Sequence, residues 1–118
     1  LVEDDDTLRR VMKRFLKRYG YKVLDAGCPA DALELNANAQ EAAHLLVTDV
    51  LMPGMNGAEL SEKLLEINPE IRILFMSGYS EDVLDNRAGV SGGGNFLRKP
   101  FESEELIYMV RKVLDASA

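Results

Sequence analysis

Five apolar runs alternate with amphipathic stretches along this chain. Leu1-Val2 is the remnant of the first, Tyr21-Lys22-Val23-Leu24 makes the second, and Leu45 to Leu51 the third; Ile71 to Met76 and Phe96-Leu97 follow. Short apolar runs closed by Gly, Pro or Ser are the pattern of buried strands. Between them lie helical rhythms. Leu8, Val11, Met12, Phe15, Leu16 and Tyr19 recur at i, i+3, i+4, i+7, i+8 and i+11, with Asp6 or Asp5 as N-cap and Gly20 as stop. Pro29 suits the first turn of a second helix running through Leu33 and Leu35, and Asn36 to Ala43 loses the rhythm. A third helix is predicted from about Gly57 to Ile67, with Leu60, Leu64 and Ile67 on one face, ended by Asn68-Pro69. Glu81 to Val90 is a weak helix with few apolar anchors. The last helix, about Glu104 to Asp115, turns Leu106, Met109, Val110, Val113 and Leu114 inward, leaving Ile107 and Tyr108 for a partner surface or for scattered exposure.

Five strands, each nearly all apolar and each followed by a helix, predict a parallel sheet covered by helices on both faces. Right-handed crossovers bring every strand's C-terminal end to one edge, where open α/β sheets bind their ligands. The polar residues that close the apolar runs therefore converge: Glu3 and Asp4 after the first, Asp49 in the third, Ser77 after the fourth, Lys99 after the fifth.

Length and composition restrict the reading further. The 118 residues, 47% hydrophobic and 29% charged, suit one globular domain spanning residues 1–118, its first strand truncated at the N-terminus. No run approaches the ~20 apolar residues that span a bilayer, and no signal peptide opens the chain. Cys28 is the only cysteine, in keeping with a reducing, cytoplasmic setting, and is read as a packing residue. A net charge of −6 speaks against nucleic-acid binding. Arg9, Arg10, Lys13, Arg14, Lys17 and Arg18 form the polar side of the first helix, a solvated face or a docking surface for an acidic partner. His44 receives no role.

Three carboxylates at one edge repel one another and invite a hard divalent cation. An EF-hand is excluded, because from Asp4 the loop needs Gly at its sixth position, where Arg9 stands. Carboxylate-held metal beside a hydroxyl and a lysine is equipment for phosphoryl transfer, with Asp49 the natural nucleophile, and Ser77 and Lys99 placed to contact phosphoryl oxygens. Pro100 invites a cis peptide after Lys99.

Four segments carry a family resemblance: Val2-Glu3-Asp4-Asp5, Thr48 to Gly57, Met76-Ser77-Gly78, and Phe96-Leu97-Arg98-Lys99-Pro100-Phe101. In this order and spacing they resemble the response-regulator receiver domain of two-component signalling over essentially the whole chain. The finer likeness is to receiver modules attached to hybrid sensor histidine kinases. The resemblance implies a flavodoxin-like (βα)5 fold with strand order 2-1-3-4-5. It implies Asp49 as phosphoacceptor and a Mg²⁺ held by Glu3, Asp4, Asp49 and the Leu51 backbone carbonyl, Glu3 reaching it through water in place of the more usual Asp. Ser77 is then the switch hydroxyl, Phe96 the rotating aromatic and Lys99 the phosphoryl-contacting lysine. The phosphoryl donor would be a histidine kinase or histidine phosphotransfer domain, with no nucleic acid or membrane bound by this domain itself. The switching face would be built by the fourth helix, fifth strand and fifth helix, and the glycine-rich sequence there is expected to be mobile. Leu51 and Tyr79, two residues beyond Asp49 and Ser77, are bulky, which implies slow autodephosphorylation.

The rival from another class is a haloacid-dehalogenase-like phosphohydrolase, whose nucleophile motif Asp4-Asp5-Asp6-Thr7 superficially resembles. That motif wants Thr or Val at its fifth position, where Leu8 stands, and no cap insertion selects a substrate.

Overall fold

The structure is a computed structural model that describes residues 1–50, 56–77 and 95–115. Its elements in chain order are α1 (Asp6–Arg18), α2 (Pro29–Asn38), β1 (Leu45–Asp49), α3 (Gly57–Ile67), β2 (Arg72–Ser77), β3 (Asn95–Arg98) and α4 (Ser103–Asp115). The helix expected over 81–90, the glycine run, Leu51 and Tyr79 lie outside the described residues. α4 therefore corresponds to the fifth helix of the sequence pattern.

β1, β2 and β3 form a parallel sheet in that order, with Leu45 opposite Arg72 and Leu74 opposite Asn95. Two single-residue parallel bridges extend it, Val2 to Thr48 on one side and Val2 to Ala26 on the other. The N–H of Val2 donates to the Val47 carbonyl at 2.8 Å, and that of Ala26 to the Leu1 carbonyl at 2.9 Å. The order is thus Ala26, Val2, β1, β2, β3, the flavodoxin-like arrangement. The second strand differs from expectation: it pairs at Ala26, beyond the predicted Tyr21–Leu24. Tyr21 and Val23 pack against the core while Leu24 is 49% exposed, so this edge segment alternates instead of being buried on both sides.

One face of the sheet packs against α1 and α4, through Met12, Leu16, Val47, Leu74, Met76, Leu97, Leu106, Val110 and Val113. The other packs against α2 and α3, through Val2, Ala26, Ala32, Leu46, Leu60, Leu64 and Ile71. Neighbours Leu46 and Val47 serve opposite faces, as a strand's period of two requires.

The helices carry the expected signals with local corrections. Asp5 is the N-cap of α1 and accepts from the Leu8 N–H, and Gly20 follows the helix at φ +91°, a left-handed conformation that suits glycine. Val11 and Tyr19 are exposed, because only Met12 and Leu16 of that stripe face the sheet squarely. In α2 the fully buried residues are Pro29 and Ala32; Leu35 points outward. Asn56 and Glu59 form a reciprocal capping box on α3. Ile67, expected inward, is 64% exposed, since it ends the helix where Asn68 turns the chain back and donates to the Ala43 carbonyl. On α4, Ile107 packs against the core and only Tyr108 is left outward.

Candidate functional site

Register builds the site. Val2 pairs with Thr48, so Glu3 comes to lie beside Asp49; Asp49 pairs with Met76, and Ser77 is the next residue. Ser77 pairs with Arg98, so Lys99 emerges one step further along the same edge, where its N–H donates to the Ser77 carbonyl at 2.7 Å. The convergence expected from the pattern is therefore present for Glu3, Asp4, Asp49, Ser77 and Lys99. The Lys99–Pro100 bond is cis.

Glu3 is almost wholly buried and Asp49 nearly so, while Asp4 is exposed. The Lys99 ammonium bridges the buried pair, 2.5 Å from Glu3 Oε1 and 2.7 Å from Asp49 Oδ1. Glu3 Oε2 accepts from the Asp5 N–H at 3.0 Å. One carboxylate oxygen from each of Glu3, Asp4 and Asp49 lies within 4.8 Å of the other two. This all-oxygen donor set, partly open to water through Asp4, fits a hard divalent cation that keeps some of its waters. The fourth expected donor, the Leu51 carbonyl, lies outside the described residues.

Burial, reinforced by its contact with Glu3, pushes the Asp49 carboxyl up to about 7, against the opposing pull of Lys99. Burial alone would raise Glu3 too. Hydrogen bonds from Asp49, the Asp5 N–H and Lys99 outweigh it and hold Glu3 below the usual carboxylate range. Asp4 is raised by its hydrogen bond with Glu3. Burial would lower Lys99, but its two carboxylate partners raise it. Within the pair, Asp49 is therefore the carboxyl pushed up and Glu3 the one held down.

Ser77 Oγ is buried and finds no hydrogen-bond partner among the described residues. Buried hydroxyls are ordinarily satisfied, and this one lies at the edge where an entering group could accept from it. Phe96 is half-buried and stacks on its sheet neighbour Phe75, ring centroids 5.6 Å apart.

Three further residues shape the site that sequence reasoning did not single out. Gly57 donates to the Val50 carbonyl at 2.6 Å, bringing the start of α3 onto the Asp49 backbone. Thr48 Oγ1 donates to the Asp49 carbonyl at 3.0 Å. Arg9 donates to the Glu3 carbonyl at 2.8 Å. Only Gly57 left a signal, a glycine directly after the N-cap Asn56.

A doubly wound α/β domain with a carboxylate cluster, a hydroxyl and a lysine at the C-terminal edge of its sheet is the class that fold and site define. The family model for the response regulator receiver domain matches residues 1–111, and the chain belongs to that family. It is a receiver domain of two-component phosphorelay signalling.

Relatives include the sensor kinase CckA of Brucella abortus, 35% identical over 98% of this chain. The chain spans 12% of that kinase's length. The response regulator receiver protein CpdR of the same organism is 33% identical over 99% of this chain and 96% of its own. Among solved structures, a response regulator receiver protein from Sinorhizobium medicae superposes with a TM-score of 0.83 at 25% identity, covering 98% of this chain and 91% of that one.

Proposed function

We propose that this domain accepts a phosphoryl group on Asp49 from a phosphohistidine, in a Mg²⁺-dependent reaction, and relays it as a change of surface. The observation that carries the reading is the Lys99 ammonium held between the buried carboxylates of Glu3 and Asp49 at 2.5 and 2.7 Å. Asp49 loses its proton and one of its oxygens attacks phosphorus. A P–O bond forms as the P–N bond breaks, and the imidazole leaves with the electron pair and takes a proton from solvent. Glu3, Asp4, Asp49 and the Leu51 carbonyl would hold the Mg²⁺, whose chemistry is to neutralise the phosphoryl oxygens. Lys99 is within reach to exchange one carboxylate partner for a phosphoryl oxygen.

The new group brings a charge of about −1.5 to −2 to the sheet edge. Ser77, whose hydroxyl has no partner among the described residues, donates to it, and Phe96 turns into the space vacated, altering the face that includes β3 and α4. The donor is a histidine kinase or a histidine phosphotransfer domain. The net charge of −6 supports a domain that binds no nucleic acid, and no described helix is long and apolar enough to cross a membrane. We place it in the cytoplasm, free or as the cytoplasmic part of a sensor kinase.

Phosphoramidate, a small P–N donor, tests the reading. Trapping with hydroxylamine should convert residue 49 alone to its hydroxamate, and a hydroxamate elsewhere, or none, would overturn it.

A further inference from the structure

We propose that Arg9 is a positioning residue for the acidic cluster, setting the Glu3–Asp4 peptide in the orientation that cation binding needs. The inference rests on the Mg²⁺ reading above.

The Arg9 guanidinium spends its nitrogens on three separate segments. Nη1 donates to the Glu3 carbonyl at 2.8 Å, Nε to Asp25 Oδ2 at 3.2 Å, and Nη2 pairs with Asp6 Oδ1 at 2.7 Å. Asp25 is itself anchored by Lys13 at 2.8 Å. The fork is thus tied to α1 and to the second-strand segment, and its remaining arm reaches the acidic loop. A peptide unit is planar, so fixing the Glu3 carbonyl fixes the Asp4 N–H and the direction in which Asp4 leaves it. Upstream, the Glu3 N–H donates to the Ala26 carbonyl at 3.1 Å. Gly27 makes room for this arrangement: a Cβ there would lie 2.9 Å from Arg9 Nη1. A Cβ there would press on the nitrogen that reaches Glu3 and make the guanidinium shift.

The sign of the effect separates positioning from charge. Arg9 puts a positive charge beside a cation site, so by Coulomb's law its removal should tighten Mg²⁺ binding. A positioning role demands the opposite. Lys removes the ambiguity from the other side, because it keeps the charge but lacks the planar fork that can hold three partners at once.

The test is Mg²⁺ affinity of the unphosphorylated domain by calorimetry, for wild type, Arg9→Gln, Arg9→Lys and Lys13→Gln, with circular dichroism on each. Both Arg9 variants should bind Mg²⁺ about 10-fold more weakly, the scale seen when groups orienting a metal ligand are removed. Lys13→Gln, which strips the same charge from Asp25 without touching Glu3, should bind at least as well as wild type. An Arg9→Gln domain that binds as tightly as wild type or tighter overturns the inference, as does an equal loss in Lys13→Gln. Should the Arg9 variants not fold, Gly27→Ala crowds the guanidinium at Nη1, the nitrogen that reaches Glu3, and keeps its charge. Weakened Mg²⁺ binding there upholds the inference and unchanged binding overturns it. A wild-type domain that binds no Mg²⁺ overturns the metal reading and this inference together.

Discussion

Gly57 faces Asp49 so closely that a Cβ built on it would lie 1.9 Å from the Asp49 carbonyl oxygen and 2.9 Å from the carbonyl carbon. Backbone, not a flexible side chain, is what it would strike. α3 therefore begins hard against the residue that carries the site, and its capping box holds it there.

In an exposed helix, replacing Gly by Ala gains up to about 1 kcal/mol. At residue 57 the sign reverses. Gly57→Ala should lose about 3 kcal/mol, the upper range for overpacking a filled interior, by urea denaturation. A variant as stable as wild type would show that α3 does not press on Asp49.

The Asp49 carboxyl has a pH signature. In the unfolded chain it titrates near 3.8, and in the fold near 7. Between those values the folded state keeps a proton that the unfolded state has released, so the group costs stability progressively as pH rises from about 4 to 7. Asp49→Asn, in EDTA, should therefore match wild type near pH 4 and exceed it by on the order of 4 kcal/mol at pH 8. Adding Mg²⁺ should narrow the gap by stabilising wild type. A gap that is constant with pH would contradict a raised Asp49 carboxyl.

Lys99→Met removes the cation between two buried carboxylates. At pH 8 without metal this should cost about 2 kcal/mol, below the 3–5 typical of a fully buried pair because the Lys99 side chain is partly exposed. The loss should shrink towards pH 4 as the carboxylates take up protons. Phosphorylation should also slow by on the order of 100-fold if Lys99 stabilises the transferring group. Equal rates would remove Lys99 from the chemistry.

The double variant Leu51→Asn, Tyr79→Glu should lose its phosphoryl group faster than wild type, followed as the decay of the phosphorylated mass after removing donor. Equal decay would mean that bulk at these positions does not shield the group from water.

The layered fold was legible because strand and helix periods are written in long stretches, and the site because parallel strands bring the residues that end their apolar runs to one edge. Local exposure was less legible. Ile67 satisfies the helical period of α3, yet the chain turns away at Asn68 before the helix can bury it. Leu24 belongs to an apolar run, yet it lies on an edge segment whose outward side meets water. Arg9 was hidden for a different reason: among six basic residues on α1 the spacing does not reveal which one turns back to the Glu3 carbonyl, because its partners Asp25 and Glu3 come from other segments.

Asp49 is expected to take a phosphoryl group with the help of a divalent cation. Intact mass after incubation with acetyl phosphate, with Mg²⁺ or with EDTA, measures this for wild type and Asp49→Ala. A gain of about 80 Da in wild type with Mg²⁺ alone, absent from Asp49→Ala, is the predicted result. An adduct that survives in Asp49→Ala, or steady phosphate release that depends on Asp4 without any adduct, would contradict it.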